Sequence, residues 1–282
     1  MTVETFYPQD ENLKQSIDYY YCIKTESPDF KTAWYSFPHV NNALSIYQGI
    51  NYEIYKGKVI ISENTNAGFT TLLQAKAQVP LLVQLHGRIN RISIIFKPLG
   101  LNNFIRQSLS EVIGEESKKF TAWDNSSAYP TLLTNLFAKD IKNQHRVGLL
   151  EQFLVSQYQP FVNEKLRSAL DLISDFEKDY TIEELAAILS ISVRTLNRLF
   201  TLHLGISPIG YKRIARFRHS LHNKLFSRQF KKLTQIGYES NFYDQSYFIK
   251  MYNKLTGSNP SVLFNSVEKL ADNNLILKFI KQ

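Results

Sequence analysis

The sequence predicts an α+β chain of two domains. The first is a mainly β N-terminal domain, about 1–158, that ends in helices. The second is an all-α C-terminal domain, about 163–268, with two helix-turn-helix units joined by a linker helix, and residues 269–282 follow as a tail. Three observations predict this division. Apolar residues change from strand-like to helical spacing near Leu99. Positive charge collects in the last third of the chain. Within that third, one segment repeats the pattern of another at an offset of 52 residues.

At 282 residues the chain is long enough for two domains, each with its own core. Its 44% hydrophobic and 21% charged residues exclude a disordered polyelectrolyte. The runs Val79–Val83 and Ile92–Phe96 are far too short to span a bilayer. The opening MTVETFYPQDEN lacks the basic stretch and apolar core of a secretory leader, so no membrane partner is expected. A single cysteine, Cys22, excludes an internal disulfide and suits a cytoplasmic protein.

The net charge of +8 is unevenly spread. Residues 1–162 hold 15 basic and 14 acidic side chains, whereas Ser190–Lys254 hold 12 basic against two acidic, Glu239 and Asp244. A solvated helical face usually mixes signs. A nearly one-signed stretch points instead to a polyanion, with nucleic acid ahead of membrane.

Taken in order, Tyr19–Ile23, Leu44–Tyr47, Tyr52–Tyr55, Lys58–Ile61 and Ile92–Phe96 are rich in β-branched and aromatic residues and read as strands. Gly49, Gly57, Gly68 and Gly87 punctuate them. Leu101, Phe104, Ile105 and Leu109 then fall at helical spacing, and a second helical stretch covers about Pro130–Tyr158. Pro160 interrupts the pattern, which places the domain boundary at about Tyr158–Asn163. Beyond it, Leu166, Leu170, Ile173 and Phe176 form the stripe of a first helix. Thr181 opens a second helix with a Thr-x-x-Glu capping box that Glu184 completes.

The repeat aligns Ser192 with Asp244. Each is a small polar residue able to cap a helix, followed by an apolar residue four positions on, Leu196 or Phe248. An aromatic follows at eight (Phe200, Tyr252), a glycine at thirteen (Gly205, Gly257) and a proline at sixteen (Pro208, Pro260). A short amphipathic helix and a tight turn precede both segments: Leu185, Ala186 and Leu189 before Ser190-Ile191, and Leu233, Ile236 and Gly237 before Ser240-Asn241-Phe242. Helix, tight turn and capped second helix is the layout of a DNA-binding helix-turn-helix.

The run Leu185-Ala-Ala-Ile-Leu-Ser-Ile-Ser-Val-Arg-Thr-Leu-Asn-Arg-Leu-Phe200, with Gly205-Ile-Ser-Pro208, resembles the first such unit of AraC/XylS regulators. Ile236–Phe248, with Gly257-Ser-Asn-Pro260, resembles the second, and the likeness covers about Asn163–Asn265. Ser190 and Asn241 stand where the family usually has turn glycines, Gly237 replaces an alanine, and Tyr252 takes a phenylalanine position. The resemblance implies a sequence-specific transcription regulator acting on double-stranded DNA. RNA polymerase would be a further partner if it activates.

In the first unit, Leu196, Leu199 and Phe200 point inward, leaving Arg194, Thr195, Asn197 and Arg198 to face DNA. Arginine can grip guanine and asparagine can grip adenine in a bidentate manner. Arg194, Asn197 and Arg198 also match the positions through which family members read bases. In the second unit Gln245, Ser246, Tyr247 and Lys250 face outward. Asp244 caps the helix, as Thr181 and Ser192 do elsewhere, because a carboxylate would repel phosphate. The joining helix, Pro208–Leu225, carries an apolar stripe of Ile214, Phe217, Leu221 and Leu225. Lys212, Arg213, Arg218, Lys224 and Arg228 are phosphate candidates around it, while Arg216 matches a family arginine that braces the two units.

No catalytic, metal or cofactor site is expected. His39 and His86 lack neighbouring ligands, and His219 and His222 sit among cations that would repel a metal. Cys22 lies in an apolar aromatic strand, the setting of a core residue rather than a nucleophile. An architectural protein that binds DNA without sequence preference would also be basic. It would have no use for two capped helices with Arg and Asn facing outward. The resemblance implies a sensor-like role for residues 1–158, with a small-molecule effector and homodimerisation as its usual forms. Leu270, Leu275, Leu277 and Ile280 suggest that the tail docks onto one of the domains.

Overall fold

Aromatic and β-branched residues are clustered in runs through the first hundred positions, and nine strands form among the described residues there. The computed structural model describes residues 1–74, 78–113, 118–226, 245–272 and 274–280. Strands β1 (Thr2–Phe6), β2 (Ile17–Lys24), β4 (Asn42–Gln48), β7 (Phe69–Gln74), β9 (Asn90–Phe96) and β10 (Lys118–Lys119) make one sheet, in the order β1-β2-β9-β4-β7-β10. Strands β3 (Lys31–Ser36), β5 (Ile50–Tyr55), β6 (Lys58–Glu63) and β8 (Leu81–His86) belong to a second sheet, in which only β6 and β8 run parallel.

The first sheet is covered on both faces, which explains why β2 and β9 show little polar alternation. Tyr20, Cys22, Leu44, Ile92, Ile94 and Phe96 point toward the helices α3 (Ala128–Leu136) and α4 (Asn143–Gln157). From the opposite face, Tyr47 and Leu72 pack with Trp34, Val59 and Leu85 of the second sheet. Asp10 caps α1 (Glu11–Ser16), accepting from the Asn12 and Leu13 amides at 2.8 and 3.1 Å.

The helical reading of Leu101–Leu109 needs correction. The chain makes a 3₁₀ turn at Leu101–Asn103, then the short helix α2 (Leu109–Ile113). Leu99 enters this turn with φ +64°. Gly100 packs so close to the Ser16 carbonyl that a Cβ would lie 1.9 Å from its oxygen, so no larger residue fits. The stretch Pro130–Tyr158 is likewise two helices, α3 and α4, separated where Asp140 takes φ +60°. Asn103 ties down the segment after α4: its carbonyl accepts from Gln159 N at 2.8 Å and its Oδ1 from Phe161 N at 2.7 Å.

Six described helices follow: α5 (Glu164–Ser174), α6 (Ile182–Ile188), α7 (Val193–Leu204), α8 (Pro208–Phe226), α9 (Gln245–Thr256) and α10 (Pro260–Ser266). Leu166, Leu170, Leu185, Leu196, Phe200 and Ile214 form one core around α5–α7 and the start of α8. No single described helix is long and apolar enough to cross a membrane.

The C-terminal region is not helical to its end. Strands β11 (Glu268–Leu270) and β12 (Leu275–Phe279) form a hairpin that joins the second sheet, completing the order β11-β12-β3-β8-β6-β5. Leu277 pairs with Ser36, Lys278 with Tyr35 and Phe279 with Trp34. The tail therefore docks on the N-terminal sheet as an added hairpin with β11 outermost, and the rings of Trp34 and Phe279 lie 5.8 Å apart.

Candidate nucleic-acid interface

In the first unit the chain is fixed at each corner by local hydrogen bonds. Thr181 Oγ1 accepts from the Glu184 amide at 3.1 Å, and the Glu184 carboxylate accepts from the Thr181 amide at 2.7 Å, a complete capping box. That amide holds the Glu184 carboxyl below its ordinary range. The helix α6 ends where Ser190 turns left-handed, φ +53°, and the Ile191 amide donates back to the Ala186 carbonyl at 3.0 Å. Lys165 Nζ donates to the Leu189 carbonyl at 2.7 Å, clamping the turn from α5. Ser192 then caps α7, its Oγ accepting from the Thr195 amide at 3.1 Å. The axes of α6 and α7 meet at 96°, within the range of a helix-turn-helix. The apolar faces of both helices are buried, with Leu185, Leu196 and Phe200 fully so.

This scaffold presents Arg194 and Arg198 as exposed side chains on α7, without a hydrogen bond or ion pair among the described residues. Thr195 and Asn197 are half-buried. The Thr195 hydroxyl lies 2.9 Å from that of Ser192, and Asn197 Nδ2 donates to the Val193 carbonyl at 2.9 Å. Both carry local bonds that a base contact must replace. Leu199, expected to point inward, is partly buried against the same core.

In the second unit, Gln245, Ser246, Tyr247 and Lys250 are exposed on α9, while Phe248, Met251 and Tyr252 are buried. The proposed cap Asp244, the turn residue Asn241 and Gly237 lie outside the described residues. The helix α8 joins the units. It has 19 residues, about 28 Å at 1.5 Å per residue, and buries Ile214, Phe217 and Leu221.

The phosphate candidates Arg218 and Lys212 are engaged by the protein itself. Arg218 is half-buried, and its guanidinium donates to the Phe37 and Pro38 carbonyls of the N-terminal domain at 2.7 Å each. Burial lowers its pKa to about 10. Lys212 reaches the Tyr180 carbonyl and the Asp179 carboxylate, and burial lowers its pKa as well. Arg213 and Lys224 are half-buried on α8, and Arg228 lies outside the described residues. Arg216 pairs with Asp179, just ahead of α6, and lies within electrostatic reach of Tyr247 on α9. That position suits an arginine bracing the units. No motif singled out Asp179; the signal available was an acid two residues ahead of the Thr181 cap, beside a basic helix.

A helix-turn-helix domain model matches residues 185–266. The arabinose operon regulatory protein of Escherichia coli (strain K12) is 28% identical over 124 residues, 41% of this chain and 42% of that protein. Its counterpart in Salmonella typhimurium is 29% identical over 124 residues, covering 41% and 43%. The chain thus spans less than half the length of these curated relatives. Among solved structures, ToxT from Vibrio cholerae O395 is 17% identical, with 89% of this chain and 96% of that chain covered at a TM-score of 0.43. The capped first unit, the 52-residue repeat and the matched stretch lead to one assignment: residues 185–266 carry a helix-turn-helix domain of the AraC/XylS kind.

Proposed function

We propose that this chain is a sequence-specific DNA-binding transcription regulator acting in the cytoplasm, in which α7 and α9 read successive major grooves of one operator. The observation that carries the reading is the pair Arg194 and Arg198, exposed and without a partner among the described residues, on a helix that is capped at both ends and buried along its other face. Arginines so placed have five donors free for guanine edges. On α9, Gln245, Ser246, Tyr247 and Lys250 supply a less strongly coded surface that adds affinity more than discrimination. The reading assigns no catalytic step.

Regulation through the N-terminal domain is part of the proposal. A cavity of about 90 Å³ lies where the two sheets, α8 and the tail meet, with Tyr21, Trp34, Arg91, Arg218 and Leu275 among its walls. Arg91 is 5% exposed and donates to the Tyr47 and Tyr21 hydroxyls at 3.1 and 3.2 Å, while its Nε has no acceptor among the described residues. A small effector at this position would touch both domains at once.

Selection of random duplex DNA by the purified chain, read by sequencing, tests the central claim. A site with two conserved blocks about one helical turn apart supports it. Enrichment of base composition alone would leave a protein that binds DNA without reading it.

A further inference from the structure

The two units are not built alike. The buried core of the first is made of residues from the C-terminal domain: Leu166, Leu185, Leu196, Phe200, Tyr211 and Ile214 are among its members, and Val40 and Leu99 touch it only from the edge. The helix α2 lies against α7, but the core beneath α7 is complete without it. Among the described residues, the core of the second unit is shared with other parts of the chain. Phe37, from the N-terminal domain, and Ile276, from the tail, are buried in one cluster with Phe248, Met251, Tyr252 and Leu263. Phe37 is 2% and Ile276 7% exposed, so both are core members.

Polar contacts hold these two residues in place. Arg218 of α8 donates to the carbonyl of Phe37 itself. Ile276 lies within β12, whose neighbour Leu277 pairs with Ser36, the residue before Phe37. On either side of it the tail is tied to the helices. Lys269 Nζ donates to the Leu225 carbonyl at 2.9 Å and lies over the Phe226 ring, and Lys278 Nζ donates to Ser258 Oγ at 3.1 Å, just past α9. The β3 edge and the tail therefore form one wall of the second unit's core.

We infer that Phe37 and Ile276 are positioning residues for the second reading helix, so that the N-terminal domain sets the pose of α9 while α7 is held by its own domain. A core side chain in a close-packed interior fixes its neighbours to within fractions of an ångström. Any shift of β3 or β12 is thereby delivered to Phe248 and Met251, and through them to Gln245, Ser246 and Lys250. Among the described residues, the same shift reaches the core of α7 only at its edge, through Val40. The device makes the operator contacts unequal: one block is bound by a self-contained unit, and the other by a unit whose core includes part of the sensor-like domain. The inference rests on the two-block reading for its consequence on DNA, but its physical claim concerns the protein alone.

The test is therefore made first without DNA. Amide hydrogen exchange of the full chain is compared with that of Ile276→Ala, Ile276→Val and Phe37→Leu. Ile276→Ala is expected to speed exchange across Gln245–Thr256 by about tenfold or more and to leave Val193–Leu204 unchanged. Ile276→Val should restore most of the protection. Phe37→Leu, which keeps an apolar side chain at the site, serves as the second probe if Ile276→Ala does not fold, and should move the same helix in the same direction by less. Equal acceleration in both helices, or none in α9, overturns the inference. On DNA, the alanine variant should lose discrimination at the block read by α9 alone. Loss at both blocks alike also overturns it, whereas failure to find a two-block operator strikes the functional reading and leaves the exchange result standing.

Discussion

The hydroxyls of Ser220 and Tyr252 lie 2.7 Å apart in full burial, joining α8 to α9. The Ser220 hydroxyl donates onward to the Phe217 carbonyl at 2.8 Å, which leaves the Tyr252 hydroxyl to donate to it. The two ends of this bond are unequal. In Tyr252→Phe, Ser220 keeps its carbonyl partner, and the expected loss is about 0.5–1.5 kcal/mol. In Ser220→Ala the phenol hydroxyl is stranded in the core, and the expected loss is about 1–3 kcal/mol. Denaturant unfolding of both variants should rank serine above tyrosine, and the double variant should lie near Tyr252→Phe alone. The reverse ranking would mean that the phenol finds another acceptor.

Arg218 separates a seam from a DNA contact. Its removal, as Arg218→Met, leaves the Phe37 and Pro38 carbonyls without this donor and should cost about 2–3 kcal/mol of stability. The salt dependence of DNA binding should keep its slope. A true phosphate ligand would instead lower that slope by about 1 when removed, with stability little changed. Melting curves and binding isotherms over a salt series distinguish the two outcomes.

The internal partners of Arg218 show where sequence reading stops. The first helix-turn-helix unit was legible because every feature that makes it is local: the Thr181–Glu184 box, the Ser192 cap, the Gly205 stop and the apolar residues between them lie within one or two turns of each other. The tail strand was not. Its five residues, Leu275–Phe279, become a strand by pairing with Lys31–Ser36, some 240 positions away, and nothing near them records that partner. Arg218 looked like a phosphate ligand because it stands in a basic helix, while its acceptors belong to the other domain. Phe37 and Ile276 gave no signal for the same reason, since a core shared between distant segments has no period in either one.

Ser190 occupies a left-handed turn in which relatives of this kind usually place glycine, and its φ of +53° shows why. A Cβ in that conformation is strained. Ser190→Gly should therefore stabilise the chain by about 0.5–1 kcal/mol, the relief of strain exceeding the added freedom of the unfolded state. Ser190→Val should destabilise it, because a β-branched side chain suffers more at positive φ. A melting temperature that falls in the glycine variant would show that the serine side chain makes a compensating contact.

The capping box carries a pH signature. The Glu184 carboxyl is held below its ordinary range by the Thr181 amide, so its contribution to stability is whole above the unfolded-state value, about 4.3, and is lost as pH falls through the lowered folded value. Glu184→Gln keeps an acceptor for the amide but removes the charge. The stability difference between the native chain and this variant should be constant near neutrality and shrink as the solution is acidified below the glutamate range. A difference that persists unchanged into acid would assign the effect to side-chain shape.

Arg198 and Asn197 provide the sharpest test of base reading, because among the described residues one has no hydrogen-bond partner and the other is occupied. Arg198→Ala should weaken binding to the selected site by about 1–3 kcal/mol and relax preference at a single base pair. Uniform weakening on every sequence would reassign Arg198 to phosphate. Asn197 must first release the Val193 carbonyl before its amide can face an adenine. Its replacement by alanine should therefore cost less affinity than that of Arg198, since the native contact is offset by the bond given up. Binding measured on the selected site and on each of its single-base variants gives both values in one series. An Asn197→Ala effect as large as that of Arg198→Ala would mean that the local bond exacts no such offset.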